Sequence, residues 1–558
     1  MIYMIKKILH VPFLLKRKFD NYTIRKRLSR ISADAARAAG KTGSRVRVLF
    51  GPSFSVYHAL KIHDVLLSAA MTARGAHISY LSNPYTLQAC FKCGGITQEA
   101  SGDHALCPNC QRFTRNDANL IEYLKGFCNI LKLKDFLDTQ AIVRIKKMAE
   151  EIPADELEHF IFDEVPIGKY SALVVRNLHY VDNIKLIPDY QTKLRNAILT
   201  NLLFYHYFLA AIKANTPDVI ITHEAFYAPW VLLYQLAKRF GITFYNYYPG
   251  MRNDSFFYAK DKIGFDLDMR PQFEKWRRRS ISEQELKKID IFFKKRNKGD
   301  IYDIKMAREN EDAEVAAYQK IIRSKHPMAV LYANVLWDVV SLDKERVFNS
   351  VQESYLETVK FFIAHPEYNL IVKPHPADEF KGHESREPVD RLIKQAFPIL
   401  PSHVLVLRPK SPLSSYELIH RSDVTIVHTT TVGIESPIFG KPTITLGKAH
   451  YAGQGLTYDP RSPEEYFQIL IGLLDKTISY DRERIREQAR KYYYLLNFVF
   501  WHDFGIIKYN FKPRSKAMVI PNTLDELLAL KDFNDLVEAM LNKKEVPFFD
   551  THLEKAHR

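Results

Sequence analysis

The stretch that decides the fold is residues 422–447, SDVTIVHTTTVGIESPIFGKPTITLG. It reads as a short apolar strand, a Thr-rich turn that ends near Gly433, a helix, a Gly-Lys-Pro turn and a second strand. A strand, a helix and another strand in this order are typical of a parallel sheet covered by helices. The stretch therefore predicts a Rossmann-like α/β unit in the C-terminal half of the chain.

The same pattern extends on both sides of this stretch. Residues 329–340, AVLYANVLWDVV, read as a strand that opens the unit, and residues 356–376, LETVKFFIAHPEYNLIVKPHP, read as a helix and a strand. A further strand is predicted at 403–409, HVLVLRP. We therefore expect a C-terminal Rossmann-like domain over residues 327–475, followed by C-terminal helices over 476–558.

The amino-terminal half alternates in the same way. Residues 45–54, RVRVLFGPSF, and 61–82, KIHDVLLSAAMTARGAHISYLS, predict strand, helix and strand, and residues 217–250 predict a second such unit. These segments indicate an N-terminal Rossmann-like domain at 45–255. The charged, helix-forming residues 256–326 show no strand pattern and are interpreted as a helical linker.

Length and composition agree with two domains. The chain has 558 residues, 46% of them apolar, which is more than one ordinary hydrophobic core accommodates. The sequence shows no solenoid-period repeat and no low-complexity stretch, so an array of repeats and a disordered chain are both disfavoured.

Positive charge is concentrated at the amino terminus. The formal net charge is +16, and the first 47 residues hold thirteen Lys or Arg against only Asp20 and Asp34. This distribution argues against a nucleic-acid-binding body. Residues 1–44 mix basic and apolar residues as a helix on an anionic membrane surface does, although a frayed basic tail has the same composition. Because no uninterrupted apolar run of about 18 residues and no signal-peptide cleavage site are visible, we expect a cytoplasmic protein, peripheral on the inner face of the membrane.

The cysteine spacing predicts a metal site. Two pairs with two residues inside each pair stand thirteen residues apart: Cys90, Cys93, Cys107 and Cys110. Four thiolates supply the tetrahedral coordination of a structural Zn²⁺, so we expect a zinc-ribbon-like insertion at residues 86–115. Two disulfides are the alternative, disfavoured without a signal peptide. Four sulfur ligands leave no open position for catalysis, and Cys128 is expected to be an ordinary buried thiol.

Polar residues follow the predicted strands, where ligands bind in open α/β sheets. After the strand DVTIV come Thr429, Thr430 and Thr431, and Gly433 opens a helix whose free N–H groups suit a phosphate or diphosphate. A Thr-rich helix cap with no ligand is the alternative. Glu435 is placed to meet a ribose.

Two further strand ends supply candidates for acid, base or electrostatic roles. His375, between two prolines after the strand LIVK, is expected to donate a hydrogen bond or proton to a leaving phosphate, with Lys373 adding positive potential. In the first domain His223 and Glu224 follow the strand DVIIT, and either could remove the proton of an acceptor hydroxyl. Asp338 is a competing carboxylate, and a solvated loop carboxylate is the alternative for Glu224.

Several of these segments, taken in order, resemble the capsule polysaccharide biosynthesis proteins and related surface-polysaccharide glycosyltransferases. The resemblance spans about residues 218–500 and rests on five segments: THEAFYAPWVLLYQLAKRFGI, YANVLWD, IVKPHPAD, HTTTVGIESPIFGKPTIT and GKAHYAGQGLTYDP. It implies a two-domain GT-B fold, a nucleotide-sugar donor and a role in capsule or O-antigen assembly. Some relatives use CMP-linked acidic sugars such as Kdo, and similar bacterial polysialyltransferases combine an HP motif with a Ser/Thr motif at CMP.

By that resemblance, His375 and Thr429 to Thr431 hold the donor phosphate, and Tyr451 and Gln454 lie beside the sugar. The family pattern HGxYxPWG has Gly where this chain has Glu224, which puts Glu224 in doubt as the base. No DxD motif is evident, which agrees with the metal-independent catalysis usual for this fold, so no catalytic metal is expected.

Three functions remain open from the sequence. The first is glycosyl transfer from a nucleotide sugar to a lipid-linked or polysaccharide acceptor, the second is glycerophosphate transfer of the teichoic-acid type, and the third is a noncatalytic scaffold in a polysaccharide assembly complex. The nucleotide bound, if any, separates them. Nucleic acid is not expected as a partner.

Overall fold

The computed structural model describes most of the chain, with gaps at both ends and in several loops. The described residues are 22–39, 46–53, 58–82, 118–250, 252, 255–263, 268–297, 312–338, 343–380, 382, 384–506, 519–546 and 548–549. The predicted zinc ligands Cys90, Cys93, Cys107 and Cys110 and residues 1–21 of the predicted tail lie outside the described residues.

Contacts divide the chain into two compact units. Unit 1 comprises residues 1–178, 189–266 and 497–558, and unit 2 comprises residues 179–188 and 267–496. The elements of the first part are β1 (Arg47–Phe50), α1 (His58–Ala73), β2 (His77–Leu81), β3 (Cys128–Leu131), α2 (Thr139–Glu151), α3 (Ile167–His179), α4 (Tyr190–Asn215), β4 (Val219–His223), α5 (Trp230–Phe240), β5 (Thr243–Pro249) and β6 (Ser255–Lys260).

The elements that follow alternate between helix and strand again. They are α6 (Arg270–Trp276), α7 (Glu283–Asn297), α8 (Asp312–Ser324), β7 (Met328–Tyr332), α9 (Val351–Ala364), β8 (Asn369–Lys373), α10 (Val389–Ala396), β9 (Val404–Val406), α11 (Ser415–Arg421), β10 (Val424–Val427), α12 (Val432–Ile438), β11 (Thr443–Thr445), α13 (Pro463–Leu474) and α14 (Arg482–Tyr494), and then β12 (His502–Asp503), α15 (Leu524–Leu528) and α16 (Lys531–Leu541).

The sheet of unit 1 has the order β12-β6-β5-β4-β1-β2-β3 among the described strands. The five strands from β5 to β3 run parallel, as predicted, while β6 and β12 are antiparallel additions at one edge. The chain order changes direction between β1 and β4. Parallel sheets bind ligands at such a switch point, outside the carboxyl ends of the strands.

The sheet of unit 2 has the order β11-β10-β7-β8-β9, and each described pair is parallel. Every residue of β7, β8 and β10 is buried, because helices cover both faces of the sheet. The chain order changes direction between β7 and β10. In parallel sheets, ligands bind outside the carboxyl ends of the strands at such a switch point.

Both ends of the chain contribute to the core of unit 1 beyond what was predicted. Residues 22–38 of the predicted tail form a helix that buries Ile24, Leu28, Ile31 and Ala35 in the core, and Arg27 Nη1 donates to the Ile520 carbonyl at 2.8 Å. The tail prediction is therefore too long, because its regular apolar spacing continues into a core helix. α15 and α16 at the other end pack against α1.

The segment predicted as a linker is more structured than expected. Ser255–Lys260 forms β6, where Tyr258 pairs with Tyr247 of β5, because its aromatic residues can be buried on both faces of the sheet edge. α6, α7 and α8 belong to unit 2. The chain after residue 475 also contains a strand, β12, which pairs with β6.

One described helix, α4, is long and apolar enough to cross a membrane by length and composition. However, 67% of its most apolar window is buried inside the protein. This burial accounts for its composition as that of a core helix.

Candidate functional site

The loops after β7, β8 and β10 carry most of the predicted site residues of unit 2. The loops after β7 and β10 are joined directly: Asn334 Nδ2 donates to Thr429 Oγ1 at 3.0 Å, and the Thr429 N–H donates to Asn334 Oδ1 at 3.3 Å. The Asn334 N–H itself donates to the buried Tyr355 hydroxyl at 2.8 Å. Asn334 therefore fixes the beginning of the Thr-rich loop at the switch point.

The Thr-rich loop does not end in an ordinary helix cap. α12 begins at Val432 and has only seven residues, and the Thr431 side chain makes no capping hydrogen bond. Its Oγ1 instead accepts from Arg296 Nη2 at 2.6 Å. Among the described residues, the buried Thr430 Oγ1 has no hydrogen-bond partner. The Thr430 and Thr431 hydroxyls therefore do not cap the helix, in contrast to the alternative of a Thr-rich cap without a ligand.

Gly433 is required by a close contact. A Cβ at this position would lie 2.1 Å from the hydroxyl of Tyr451, which donates to the Thr430 carbonyl at 2.7 Å. Tyr451 is fully buried, so it supports the loop from inside rather than facing solvent. Gln454, which was predicted to lie beside the sugar together with Tyr451, is also buried. Its main-chain carbonyl accepts a hydrogen bond from Arg277 Nη2 at 3.2 Å.

Glu435 is enclosed behind this loop. It is 2% exposed, with Oε1 3.0 Å from Arg296 Nε and Oε2 accepting from the Tyr416 hydroxyl at 3.3 Å. Burial raises the pKa of this carboxyl, and the Arg296 charge and the Tyr416 hydrogen bond oppose that rise. In this arrangement the carboxylate points at Arg296, whereas the sequence placed it toward a ribose.

His375 is held in one tautomer. The Ala377 N–H donates to His375 Nδ1 at 3.1 Å, so the neutral ring carries its hydrogen on Nε2. Burial, and then the charges of Arg296 and Lys373, lower the pKa of His375 to about 4. The ring is therefore neutral at pH 7 and can donate a hydrogen bond from Nε2.

The loop that carries His375 is held by hydrogen bonds among three residues near it. Ser385 Oγ donates to Asp378 Oδ1 at 2.6 Å, the Ser385 N–H donates to the Asp378 carbonyl at 2.8 Å, and Trp337 Nε1 donates to Ser385 Oγ at 2.7 Å. Burial raises the pKa of Asp378 to about 7. Asp338 follows Trp337 in this same region and is partly exposed.

His223 and Glu224 belong to unit 1, at the carboxyl end of β4. His223 is 1% exposed, its ring packs on Trp230 at 4.8 Å between centroids, and burial lowers its pKa to about 3. Its Nδ1 lies 4.0 Å from Glu224 Oε2. Glu224 has φ of +50°, a conformation that favours glycine, which gives a physical reason for the Gly of the resembling pattern.

A buried polar cluster next to His223 was not predicted. Asp64 of α1 is 2% exposed and accepts from the Tyr247 hydroxyl, and His63 Nε2 lies 2.6 Å from the Tyr258 hydroxyl. Burial raises the pKa of Asp64 to about 7, and burial followed by the His223 charge lowers that of His63 to about 3.

Sequence reasoning missed three residues of unit 2. Arg296 and Asn334 contact the Thr-rich loop from 135 and 95 residues away along the chain, and Tyr416 contacts Glu435 from 19 residues away. Asn334 stands in the segment YANVLWD, but nothing in that segment indicates which loop its side chain contacts. A lone Arg in a charged helix gives no local signal. In the part of the chain that the structure describes, no group of three or more His, Cys, Asp or Glu is arranged to hold a metal ion.

Fold and site together define an α/β protein of two units with parallel sheets, whose second unit has a cluster of hydroxyl, imidazole and cationic groups at its switch point. Residues 290–468, about a third of the chain, match the family model described as capsule polysaccharide biosynthesis protein. Over these residues the chain is similar to that family, which confirms the predicted resemblance.

Solved structures give weaker likenesses. KpsC of Thermosulfurimonas dismutans, a β-Kdo 2,4 transferase, is 14% identical with a TM-score of 0.27, over 49% of this chain and 79% of that one. The β-Kdo 2,7 transferase of KpsC from the same organism is 14% identical with a TM-score of 0.28, over 51% of this chain and 79% of that one. UDP-GlcNAc 2-epimerase of Neisseria meningitidis is 9% identical with a TM-score of 0.24, over 80% of this chain and 94% of that one. These scores are too low to bear on function, and a comparison with curated proteins finds no match.

Proposed function

We propose that the chain is a glycosyltransferase that moves a sugar from a nucleotide donor to a growing capsule or other surface polysaccharide. The observation that carries this proposal is the meeting of the loops after β7 and β10, joined through Asn334 and Thr429, inside the region that matches the capsule family. His375 follows the neighbouring strand β8 of the same sheet.

The groups at this edge suit a phosphate whose charge grows during transfer. When the bond between the sugar and the nucleotide phosphate breaks, its electron pair stays on the phosphate oxygen. A neutral His375 donates a hydrogen bond from Nε2 to that oxygen, and the positive charges of Lys373 and Arg296 lower the energy of the developing anion. The hydroxyls of Thr429 and Thr431 bind the other phosphate oxygens. The Thr430 hydroxyl oxygen is buried, so it can bind a phosphate only if the loop moves.

The acceptor step needs a base. The acceptor hydroxyl oxygen forms the new bond to the anomeric carbon, and its proton passes to a side chain, for which His223, Glu224 and Asp338 remain the predicted candidates. Because burial holds the pKa of His223 at about 3, that ring is a weak base, which favours a carboxylate.

A CMP-linked acidic sugar, which some of the resembling proteins use, is one donor class to test. The reaction is expected to proceed in buffer without added divalent cations, since the site provides its own positive charges. The protein is proposed to act on the cytoplasmic face of the membrane, where the nucleotide sugars it would use are made.

A donor screen tests the proposal. The full chain is incubated with CMP-, CDP-, UDP- and GDP-linked donors and a lipid-linked acceptor, and products are identified by mass spectrometry. Transfer of a sugar from one donor supports the proposal. Transfer of glycerophosphate from a CDP-linked donor would replace it with the teichoic-acid type of reaction, and a chain that binds none of the four nucleotides would favour a scaffold.

A further inference from the structure

We infer that Arg296 is a positioning residue of the proposed donor site, setting the orientation of the Thr431 hydroxyl through an ion pair with Glu435. The inference rests on the proposed function, since it assumes that the loop after β10 binds the donor phosphate. It assigns a role to α7, a helix that the sequence indicated only as part of a linker.

α7 is held against the site by aromatic packing. Phe293 stacks on Tyr493 of α14 with ring centroids 4.9 Å apart and meets Phe439, just after α12, edge-on at 5.4 Å. Phe292 contacts Tyr493 as well, at 6.0 Å. These contacts fix the last turn of α7 and bring Arg296 to the beginning of α12.

The guanidinium of Arg296 is oriented by two fixed partners. Its Nε lies 3.0 Å from Glu435 Oε1, and its Nη2 donates to Thr431 Oγ1 at 2.6 Å. Glu435 is itself held by the Tyr416 hydroxyl at 3.3 Å. A carboxylate with 2% exposure requires such a cation, so the pair fixes Arg296 more firmly than a surface ion pair would.

This geometry decides what Thr431 can do. Because a lone pair of its hydroxyl oxygen accepts from Arg296, the hydroxyl hydrogen is directed elsewhere and can be donated to an anion. Arg296 is 19% exposed, so its remaining surface also adds positive potential at the loop. Arg296 thus orients the Thr431 hydroxyl so that it can donate a hydrogen bond to a phosphate oxygen. Because Arg296 is partly exposed, its own charge can also interact with the phosphate.

The charge of Arg296 also acts on His375. It is the second cause, after burial, that lowers the pKa of this imidazole. Removing the charge is therefore expected to raise the pKa of His375. Because protonation of Nδ1 breaks the hydrogen bond from the Ala377 N–H that orients the ring, the acidic limb of the pH–rate profile should move to higher pH, which a purely structural residue would not cause.

The test compares four variants of the full chain: R296Q, R296K, the double variant R296Q/E435Q, and K295Q as the control. Lys295 precedes Arg296 and is exposed, so K295Q removes the same charge from the same turn of α7. Affinity for CMP, CDP, UDP and GDP is measured by calorimetry, and kcat and KM are measured from pH 4 to 9 with the donor identified in the screen. Unfolding without ligand is followed by circular dichroism.

The expected result is specific to Arg296. R296Q weakens binding of the nucleotide by roughly 10- to 100-fold, the cost of losing a hydrogen bond to a charged group. R296K recovers part of that loss by keeping the charge, and K295Q matches the wild type. R296Q/E435Q removes the unpaired buried carboxylate, so it unfolds like the wild type but keeps the binding defect and the raised acidic limb.

Two negative results have different meanings. If the wild type binds none of the four nucleotides, the proposed function itself is wrong. If the wild type binds one but R296Q/E435Q and R296K both bind it with wild-type affinity and an unshifted pH profile, the proposed function stands and the role of Arg296 is rejected.

Discussion

His375 and Asp64 show how burial sets the charge of single residues here. Burial disfavours the charged form of any group, so it lowers the pKa of the His375 imidazole to about 4 and raises that of the Asp64 carboxyl to about 7. The histidine is therefore neutral at pH 7, while the carboxyl titrates close to that pH. The two residues lead to one prediction about activity and one about stability.

Replacing His375 with alanine is expected to lower kcat at least about 100-fold, because a hydrogen bond to the leaving phosphate is lost in the transition state. The unfolding free energy should fall by only about 1 kcal/mol, the cost of losing the hydrogen bond from the Ala377 N–H to the ring, so the variant stays folded. The measurement is steady-state kinetics on purified H375A, with the exposed His326 changed to alanine as the control. Wild-type kcat in folded H375A would remove His375 from the mechanism.

Asp64→Asn is expected to change how stability depends on pH. The folded-state pKa of Asp64 is raised from 3.8 to about 7, so its favourable contribution is complete below pH 4 and is lost as the pH rises through 7. Asparagine does not titrate. Relative to the wild type, D64N should therefore gain on the order of 4 kcal/mol of unfolding free energy between pH 4 and pH 8.

Chemical denaturation across this pH range measures the effect. The exposed Asp155 changed to asparagine serves as the control and is measured over the same pH range. Parallel curves for D64N and the wild type would show that Asp64 titrates normally in the folded protein.

The residues of the candidate site divide according to how local their signal is. His375 and Thr429 to Thr431 could be predicted because they directly follow apolar strands, and strand ends meet at one edge of a parallel sheet. Arg296 could not, because its partner Thr431 is 135 residues away and the contact depends on how α7 packs. Glu435 was found but assigned a ribose, since sequence does not show which way a carboxylate on a short helix turns.

At the scale of elements, the two errors of the sequence reading have a common cause. The helix at residues 22–38 contacts Ile520 near the far end of the chain, and β6, which pairs mainly with the adjacent β5, is covered on its other edge by β12. Apolar spacing reveals that one face is buried, but not whether a membrane or a protein core covers it. The basic tail and the core helix therefore looked like one segment.

Deleting residues 2–21 should separate the proposed membrane contact of the tail from the stabilising role of the core helix at residues 22–38. We expect the unfolding temperature to stay the same and binding to phosphatidylglycerol vesicles to fall, because the deletion removes Lys6, Lys7, Lys16, Arg17 and Lys18 at about 1 kcal/mol each near an anionic surface. Deleting residues 2–39 should in addition cost roughly 5 kcal/mol, since Ile24, Leu28 and Ile31 leave the core. Vesicle sedimentation and denaturation measure the two effects. Unchanged sedimentation after the shorter deletion would rule out the tail as a membrane contact.

The cysteine insertion at 86–115 remains a prediction at this scale. We expect about one zinc per chain by elemental analysis, and the C90S/C93S variant should lose it, because two ligands cannot complete a tetrahedral site. Cys128 is buried in β3, and the matched variant C128S should keep its zinc. A metal-free wild-type protein purified without chelators would contradict the zinc site.

At the scale of the whole molecule, alternation of strand and helix was sufficient to predict two parallel α/β sheets. The boundaries of the two units were harder to predict, because contacts assign residues 497–558 to the same unit as residues 1–178. Which segments join which core depends on contacts across several hundred residues, and no local pattern carries that information. The candidate site was nevertheless predictable in outline, because it lies within a continuous stretch of unit 2.

We propose that the loops after β7, β8 and β10 of unit 2 bind the donor nucleotide. A crystal structure of the full chain with the nucleotide that the donor screen selects tests it most directly. We expect a phosphate within hydrogen-bond distance of His375 Nε2 and Thr431 Oγ1, next to Arg296. A nucleotide bound with its phosphate away from these loops, in a protein that is active in the same assay, would contradict it.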